Sequence, residues 1–253
     1  MISLTNNNKA RREHIEMHFD KAGVAFDFFD AVTKDQIEKE QLLTGVDLSE
    51  SKLNDSEKAC FLSHAKIWKM MLDREIDYLA IFEDDIHLSE SASMFLSDPN
   101  WIPVEMGLVK LEKSNKYYNI TNKKIPAIGG RSLIKLKKTN WGSAGYIISL
   151  EYVRYLMKRL ADKKTIMTVD DELFTPALNE GMELFMLEPA ICIQDFTLNE
   201  RKKSSFPSTI DPRKNKSEKN KLTPWTKMKR ELSRISPFFL VERHLLSRRT
   251  KYL

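Results

Sequence analysis

The segment Tyr78–Phe82 constrains the fold more than any other part of the sequence. It is a nearly all-apolar run of five residues, YLAIF, with charged residues on both sides. Short runs of this kind are typical of parallel strands that are buried on both faces. Helical patterns at 9–21, 55–73 and 150–161 alternate with other short apolar runs. We therefore predict an α/β fold with a mostly parallel sheet and helices on both faces.

Local signals place the other elements. Asn54 with Glu57 three residues later resembles a capping box, which predicts the start of the helix at 55. A loosely helical stretch covers 34–52, and Gly181 predicts the end of a helix over 170–180. Further strands are predicted at 2–4, 23–29, 107–111, 132–138, 144–149, 183–187 and 190–194.

The charge is distributed unevenly between the two ends of the chain. Residues 201–253 contain 16 Lys and Arg against 4 Asp and Glu, a net charge of +12, so the rest carries −7. An acidic body argues against a nucleic-acid partner. Because 201–222 has few apolar residues, we predict a linker there. The chain then divides into a domain at 1–200, a basic linker at 201–222 and a basic helical tail at 223–253.

The tail has the composition of an amphipathic helix. Apolar residues recur at helical spacing from Trp225 to Ile235, and basic residues lie largely off that stripe. Two short helices are predicted, at 225–235 and 238–249. Such helices bind anionic membrane surfaces. The alternative is a helical pair that packs on the body of the protein.

The cysteines and the hydropathy pattern indicate a cytoplasmic protein. Cys60 and Cys192 both lie among apolar residues and lack a neighbouring cysteine, so we expect two reduced core thiols. No apolar run reaches the ~20 residues of a membrane span, and no charged leader precedes an apolar segment at Met1.

Three acidic residues, Glu83, Asp84 and Asp85, directly follow the strand 78–82. In open parallel sheets, ligands bind beyond the carboxyl ends of the strands. Since alternate residues of an extended segment point the same way, Glu83 and Asp85 can face one ion. Carboxylates favour Mg²⁺ or Mn²⁺, and such ions commonly accompany a diphosphate. The alternative is a solvated acidic turn.

Six short segments, in order, resemble a known enzyme family. They are ISL (2–4) with RRE (11–13), GVAFDFFDAV (23–32), ACFLSH…W (59–68), LAIFEDDI (79–86), GSAGYIIS (142–149) and VDDEL (169–173). Over roughly residues 2–195 the chain is similar to glycosyltransferase family 25, the lipooligosaccharide biosynthesis glycosyltransferases. The resemblance implies a GT-A type, Rossmann-like fold, a nucleotide-sugar donor (UDP-galactose in most bacterial members), an inverting transfer and a DxD-like metal motif.

That motif falls on Glu83–Asp85. Asp85 is the first candidate for a direct ligand to Mn²⁺, which we favour over Mg²⁺, and Glu83 is a second ligand or a ribose partner. Asp84 is expected to turn into the protein beside the donor. Gln194 or Asp195, at the end of the last core strand, could supply a further metal ligand.

An inverting transfer needs a base that takes the proton of the acceptor hydroxyl. Asp170 and Asp171 begin a predicted helix, whose N-terminus stabilises a carboxylate. We prefer Asp171 by a small margin. The alternative is that both acids only cap the helix.

Other candidates lie near predicted strand ends. Asp30 could reach the base or ribose of a nucleotide, although an Asx turn explains it equally well. Arg11 or Arg12 could contact the diphosphate, although a solvated helix face explains both equally well. His64 could be a site or a core residue. The remaining donor-binding candidates are Leu4, Thr5 and Ser143.

The sequence thus predicts an enzyme that moves a hexose from a UDP-sugar to a lipid-linked oligosaccharide on the cytoplasmic face of the inner membrane. Two alternatives stay open at this point: a metal-dependent phosphoryl or nucleotidyl transferase, and a non-catalytic basic membrane adaptor.

Overall fold

The structure is a computed structural model, and it describes residues 1–5, 8–103, 106–114, 117–137, 142–199, 205–206, 247–249 and 252. Its helices are α1 (Lys9–Ala22), α2 (Ile37–Thr44), α3 (Asp55–Arg74), α4 (Ser93–Leu96), α5 (Leu150–Ala161), α6 (Val169–Asn179) and α7 (Asp195–Leu198). Its strands are β1 (Ile2–Ser3), β2 (Phe29–Asp30), β3 (Tyr78–Phe82), β4 (Ile86–Leu88), β5 (Leu108–Lys110), β6 (Tyr117–Pro126), β7 (Ser132–Leu136), β8 (Gly145–Ser149), β9 (Phe185–Glu188), β10 (Cys192–Gln194) and β11 (Ser247–Arg249).

Helix α3 begins where its capping residues predicted. Asn54 accepts a hydrogen bond from the Glu57 amide (2.9 Å), and the Glu57 carboxylate accepts one from the Asn54 amide (3.0 Å). This reciprocal pair satisfies two amides at the start of α3 that have no partner within the helix. Gly181 adopts a positive φ of 81° two residues after α6, as its position predicted.

The central sheet is mixed, so the prediction of a mostly parallel sheet was wrong. Seven strands lie in the order β11-β6-β7-β9-β5-β8-β3. Only β5 and β9 pair in parallel, and every other pairing in this sheet is antiparallel. The apolar run of β3 indicates that both faces of the strand are buried. Helices can bury both faces of a parallel or an antiparallel sheet, so the run does not indicate the direction of the neighbouring strand.

Parallel pairing does occur beside the end of β3. β1 pairs in parallel with β2, and Ile2 makes an isolated parallel bridge with Glu83. The carboxyl ends of β1, β2 and β3 therefore meet at one edge. This edge has the geometry that the sequence predicted for a ligand site.

Two apolar clusters cover the two faces of the central sheet. Ile81 and Ile148 belong to the first cluster, with residues of α3, α5 and α6. Phe82 and Ile147 belong to the second, with residues of α1 and α4. Because neighbouring residues of a strand point to opposite faces, this division confirms that helices lie on both sides.

Other expectations were wrong or fall outside the described residues. The strand predicted at 23–29 is confined to Phe29–Asp30, while β4 and β6 were not predicted. The helix predicted at 238–249 fails over its last three residues, which form β11 and pair with β6. The helix predicted at 225–235 and the limits of the linker lie outside the described residues. Among the described helices, none has the length and apolarity to span a bilayer.

Candidate active site

A cavity of about 300 Å³ opens at the edge where β1, β2 and β3 end. The residues that follow these strands, Leu4, Ala31–Lys34 and Glu83–Asp85, form much of its wall. The first turns of α3 close another side with Cys60 and His64. The three strand ends thus bring polar groups from distant parts of the sequence to one place.

Asp84 points into the protein, as expected, and its charge is compensated there. Arg11 Nη1 lies 2.5 Å from Asp84 Oδ1, and Asn8 Nδ2 donates to the other carboxylate oxygen. All three side chains are buried. The pair fastens the start of α1 to the acidic segment, so Asp84 and Arg11 form part of the cavity wall as an ion pair.

The polar contacts of Asp85 are longer than those of Asp84. Gln194 Nε2 donates to its Oδ1 at 3.3 Å, and Arg11 is 4.0 Å from its Oδ2. Burial, followed by the charge of Glu83, raises the pKa of Asp85 to about 7. The structure therefore brings Asp85, Glu83 and Gln194 together at the cavity.

Glu83 lies at the end of a chain of hydrogen-bonding side chains. Ser143 Oγ donates to Glu83 Oε1 at 3.2 Å, and His64 Nε2 is 3.5 Å from the same oxygen. His64 Nδ1 is 2.8 Å from the hydroxyl of Tyr146, which also accepts from Trp68 Nε1 at 3.1 Å. Since burial raises the pKa of Tyr146 well above its usual value, its hydroxyl stays protonated and can donate to His64 Nδ1. The remaining proton of His64 then faces Glu83.

The loop that carries Ser143 rests on a buried ion pair. Lys110 Nζ is 3.2 Å from Glu112 Oε2, and both side chains are fully buried. Lys110 also donates to the carbonyl of Gly142, and Glu112 Oε2 accepts from the Ala144 amide at 3.1 Å. A Cβ on Gly142 would lie 2.7 Å from a Glu112 carboxylate oxygen, and the φ of Gly142 is 95°. Gly142 is therefore required by contact with Glu112 inside the protein, rather than by a ligand.

Of the two helix-start acids, Asp170 contacts this loop. Its Oδ2 accepts from the Gly142 amide at 3.1 Å, and its charge helps to raise the pKa of the cavity-lining Cys60, after burial and Glu83. Thr168 Oγ1 lies 2.5 Å from Asp170 Oδ1 and 2.9 Å from Asp171 Oδ2, so the two carboxylates compete for its single proton. Both acids lie in the first turn of α6, as predicted.

Three predicted donor-binding residues, Thr5, Asp30 and Ser143, do not line the cavity, and neither do the base candidates Asp170 and Asp171. Asp30 is exposed at the end of β2 and accepts from Arg12 Nη2 at 2.9 Å. Hydrogen bonds from Thr5 and then Arg12 lower the pKa of Asp30. Asp30 thus binds Thr5 and Arg12, whereas Leu4 does line the cavity.

Sequence reasoning missed the residues that hold the site together. Asn8, Lys110, Glu112 and Tyr146 were not singled out, although each orients a predicted site residue or the loop that carries one. A signal existed for one pair: Lys110 and Glu112 are opposite charges two residues apart, between apolar neighbours. That spacing places both on one face of an extended segment.

The fold and the cavity define an α/β protein with an acidic ligand site at the carboxyl ends of its strands. The sequence model for "Glycosyltransferase family 25 (LPS biosynthesis protein)" matches residues 1–173. The chain therefore belongs to glycosyltransferase family 25 and is an enzyme of that family. The resemblance inferred from the six segments is confirmed.

Curated relatives agree with this assignment. The chain is 35% identical over 196 residues to a lacto-N-neotetraose biosynthesis glycosyltransferase, LgtE, of Neisseria meningitidis, which covers 73% of this chain and 70% of that one. It is 32% identical over 204 residues to the lipooligosaccharide biosynthesis protein lic2B of Haemophilus influenzae, covering 77% and 75%. It is 28% identical over 269 residues to the protein lex-1 of the same organism, covering 93% and 87%. The non-catalytic adaptor considered above is therefore excluded.

Proposed function

We propose that this glycosyltransferase is an inverting enzyme of GT-A type that moves galactose from UDP-galactose to a lipooligosaccharide acceptor. The observation that carries the proposal is the acidic cavity at the joined ends of β1, β2 and β3. The residues that follow these strands line the cavity and could contact a nucleotide. The carboxylates of Glu83 and Asp85 lie beside them and interact with each other. Ligands of α/β proteins bind in this position.

The residues at the cavity fit a divalent metal ion. Burial and, after it, repulsion from the charge of Glu83 raise the pKa of Asp85, and Arg11 is engaged by Asp84. A divalent ion would relieve that repulsion. We propose Asp85 and Glu83 as ligands, with the Gln194 side-chain amide as a further oxygen donor, for Mn²⁺ or Mg²⁺. When bound, the ion would supply Lewis-acid stabilisation of the departing diphosphate.

The protein's own groups would hold the donor. Leu4 and the segment 31–34 lie beyond the ends of β1 and β2, where a nucleoside would rest. Ser143 donates to Glu83 Oε1 and His64 Nε2 lies 3.5 Å from the same oxygen, so both contacts leave the second oxygen of Glu83 for the ligand. Arg11, held by Asp84, adds positive charge at the cavity wall.

For the base we propose Asp170 ahead of Asp171, the reverse of the preference drawn from the sequence. Asp170 contacts the loop of Ser143, which in turn contacts Glu83. This chain of contacts, from Asp170 through the Ser143 loop to Glu83, supports a position for Asp170 on the donor side. Because the acceptor hydroxyl must approach the sugar there, Asp170 is the better placed carboxylate to take its proton.

A phosphoryl or nucleotidyl transferase would need a positive clamp for phosphate groups. The strongly basic side chains that line the cavity are Arg11 and Lys34, within the part of the chain that the structure describes. Arg11 is committed to Asp84. We therefore favour sugar transfer.

The acceptor suggests where the enzyme works. A lipid-linked oligosaccharide is confined to a membrane, and the +12 charge of 201–253 would attract an anionic surface. We propose peripheral binding to the cytoplasmic face of the inner membrane.

Donor specificity is tested by incubating the purified protein with a panel of UDP-sugars, with and without Mn²⁺, and measuring UDP release. We expect Mn²⁺-dependent turnover of UDP-galactose above that of UDP-glucose and UDP-N-acetylhexosamines. A preference for another sugar would overturn the galactose assignment. Turnover that is unaffected by chelation would overturn the metal assignment.

A further inference from the structure

Three histidines from two elements converge outside the acidic cavity. His14 and His18 lie one turn apart on α1, and His87 lies in β4. One potential ligand nitrogen of each ring lies within 4.8 Å of the other two. The ring centroids are 4.5 Å (His14–His18), 4.8 Å (His14–His87) and 5.2 Å (His18–His87) apart. In a tetrahedral zinc site with Zn–N bonds of about 2.0–2.1 Å, the ligand nitrogens lie about 3.3–3.4 Å apart, so the three rings would have to move closer by up to about 1.4 Å to bind one ion.

Two of the rings are oriented by an oxygen atom within hydrogen-bond distance of Nε2. His87 Nε2 is 2.8 Å from Asp195 Oδ1, and His14 Nε2 is 2.9 Å from the carbonyl oxygen of Ile86. Each of these contacts leaves Nδ1 as the second ring nitrogen. Metal-binding histidines characteristically donate their other N–H to a carboxylate or a backbone carbonyl, because this fixes the tautomer and the ring orientation.

Asp195 is itself held in place. It is 1% exposed, and its carboxylate accepts from Asn199 Nδ2 and from the Ser205 amide, both at 2.8 Å. The Phe206 ring lies 4.7 Å from that of His14 and covers one side of the cluster. The buried carboxylate of Asp195 thus orients His87, and the Phe206 ring packs against His14.

Burial favours the neutral form of two of the rings, His14 and His18. Burial lowers the pKa of His18 to about 4, with the neighbouring His14, His87 and Lys21 acting in the same direction. Burial also lowers the pKa of His14, although Asp195 acts against it. Neutral imidazoles can bind a metal ion without first losing a proton.

We propose that His14, His18 and His87 bind a Zn²⁺ ion. Imidazole nitrogens suit zinc, whereas the carboxylates of the sugar-donor cavity suit Mg²⁺ or Mn²⁺, so the two sites select different metals. The zinc ion would fasten α1 to β4. Since α1 also carries Arg11, this link would support the wall of the donor cavity from behind.

The test is a calorimetric titration of the chelator-treated full-length protein with ZnCl₂ in excess Mg²⁺. We expect one zinc ion per chain in the wild type. His14→Gln and His18→Gln should each weaken binding by at least about 100-fold, and Asp195→Asn by about 10- to 100-fold, the usual effect of losing an outer partner. Wild-type affinity in both histidine variants would overturn the proposal.

His64→Gln is the matched control. Cys60, His64 and Glu83 also place potential ligand atoms within 4.8 Å of one another, inside the donor cavity. We expect His64→Gln to bind zinc like the wild type. Loss of zinc binding in this variant alone would mean that the ion occupies the cavity, and the proposal would fail.

A second measurement avoids substitutions that could impair folding. Wild-type crystals grown with ZnCl₂ should show an anomalous peak at the zinc edge between His14, His18 and His87. A peak confined to the cavity, or no peak at a zinc concentration that saturates the calorimetric site, would contradict the assignment. Circular dichroism of each variant without zinc confirms that it is folded.

Discussion

Arg11 Nη1 lies 2.5 Å from Asp84 Oδ1, and both side chains are buried. The contact joins helix α1 to the acidic segment that follows β3. It also separates the three neighbouring acids into one whose charge is compensated and two, Glu83 and Asp85, that face the cavity. Asp84 therefore stabilises the fold, whereas Glu83 and Asp85 serve the proposed binding of a ligand.

Arg11→Met should lower the free energy of unfolding by about 3–5 kcal/mol, because it leaves the buried carboxylate of Asp84 without its cation. Urea unfolding followed by circular dichroism measures the loss. Lys69→Met is the control, since the Lys69–Asp73 pair is largely exposed and such pairs contribute about 0–1 kcal/mol. Equal losses in the two variants would show that the Arg11–Asp84 contact does not support the fold.

Lys110→Met should cost a similar amount, about 3–5 kcal/mol, because Glu112 would become an unpaired buried acid. The double variant Lys110→Met/Glu112→Leu should recover most of that loss. Thermal and urea unfolding of both variants measure this difference. A double variant no more stable than the single one would contradict the role of the pair.

The pH dependence of Lys110→Met has a definite sign. Burial raises the pKa of Glu112, and the attraction of Lys110 opposes this rise. Without Lys110, the folded-state pKa lies still further above the unfolded value of about 4.3. The variant should therefore be most stable near pH 4 and lose stability, relative to wild type, as the pH rises through the folded-state pKa. A difference from wild type that does not change with pH would rule this out.

How far the sequence predicts this fold depends on which information is local. Asn54 and Glu57 predicted the start of α3 because a capping box needs only four consecutive residues. Strand direction depends on a distant partner: β3 pairs antiparallel with β8, about 65 residues later, and no residue within β3 encodes that choice. The ends of β3 and of α3 were therefore predicted, while the sheet around them was not.

The same distinction applies to the site. Glu83, Asp85 and Gln194 were predicted together because strand ends meet at one edge, and the structure brings them to that edge. Asp30 follows the same rule, yet its side chain binds Arg12 outside the cavity, since its orientation depends on its neighbours in space. Asn8 and Tyr146 act only through residues far away in the sequence, so no local pattern marks them.

The two helix-start acids are separated by kinetics. Asp170→Asn should lower turnover by about 10²- to 10⁴-fold, the usual contribution of a general base, with donor affinity nearly unchanged. Asp171→Asn should have a smaller effect. Steady-state rates with a soluble acceptor, combined with calorimetric UDP affinities, measure both quantities. If Asp171→Asn shows the larger loss, the two roles are exchanged; if neither variant slows turnover, the base lies elsewhere.

The membrane proposal is best tested by charge rather than by truncation, because Ser247–Arg249 pairs with β6 and a shortened chain would lose that strand. Replacing Lys227, Lys229 and Arg230 by Gln should weaken binding to anionic vesicles by about 1 kcal/mol per residue. Vesicle flotation at low and high salt measures the change, and wild-type binding should decrease at high salt.

The control replaces the same number of exposed lysines in the body, at Lys39, Lys158 and Lys164. We expect these changes to affect flotation less than those in the tail. An equal effect of both sets, or wild-type flotation that does not depend on lipid charge, would contradict a specific role for the basic tail.

The most direct test of the account is the affinity of UDP in the presence of Mn²⁺ for the wild type and for Asp85→Asn, measured by calorimetry. The side chain of Asp85 lies at the cavity, and its loss leaves the Arg11–Asp84 pair in place, so the variant should unfold like the wild type. We predict that Mn²⁺ strengthens UDP binding in the wild type and that this strengthening disappears in Asp85→Asn. Wild-type affinity in a folded Asp85→Asn would contradict the claim that the acids after β3 bind the metal and the donor.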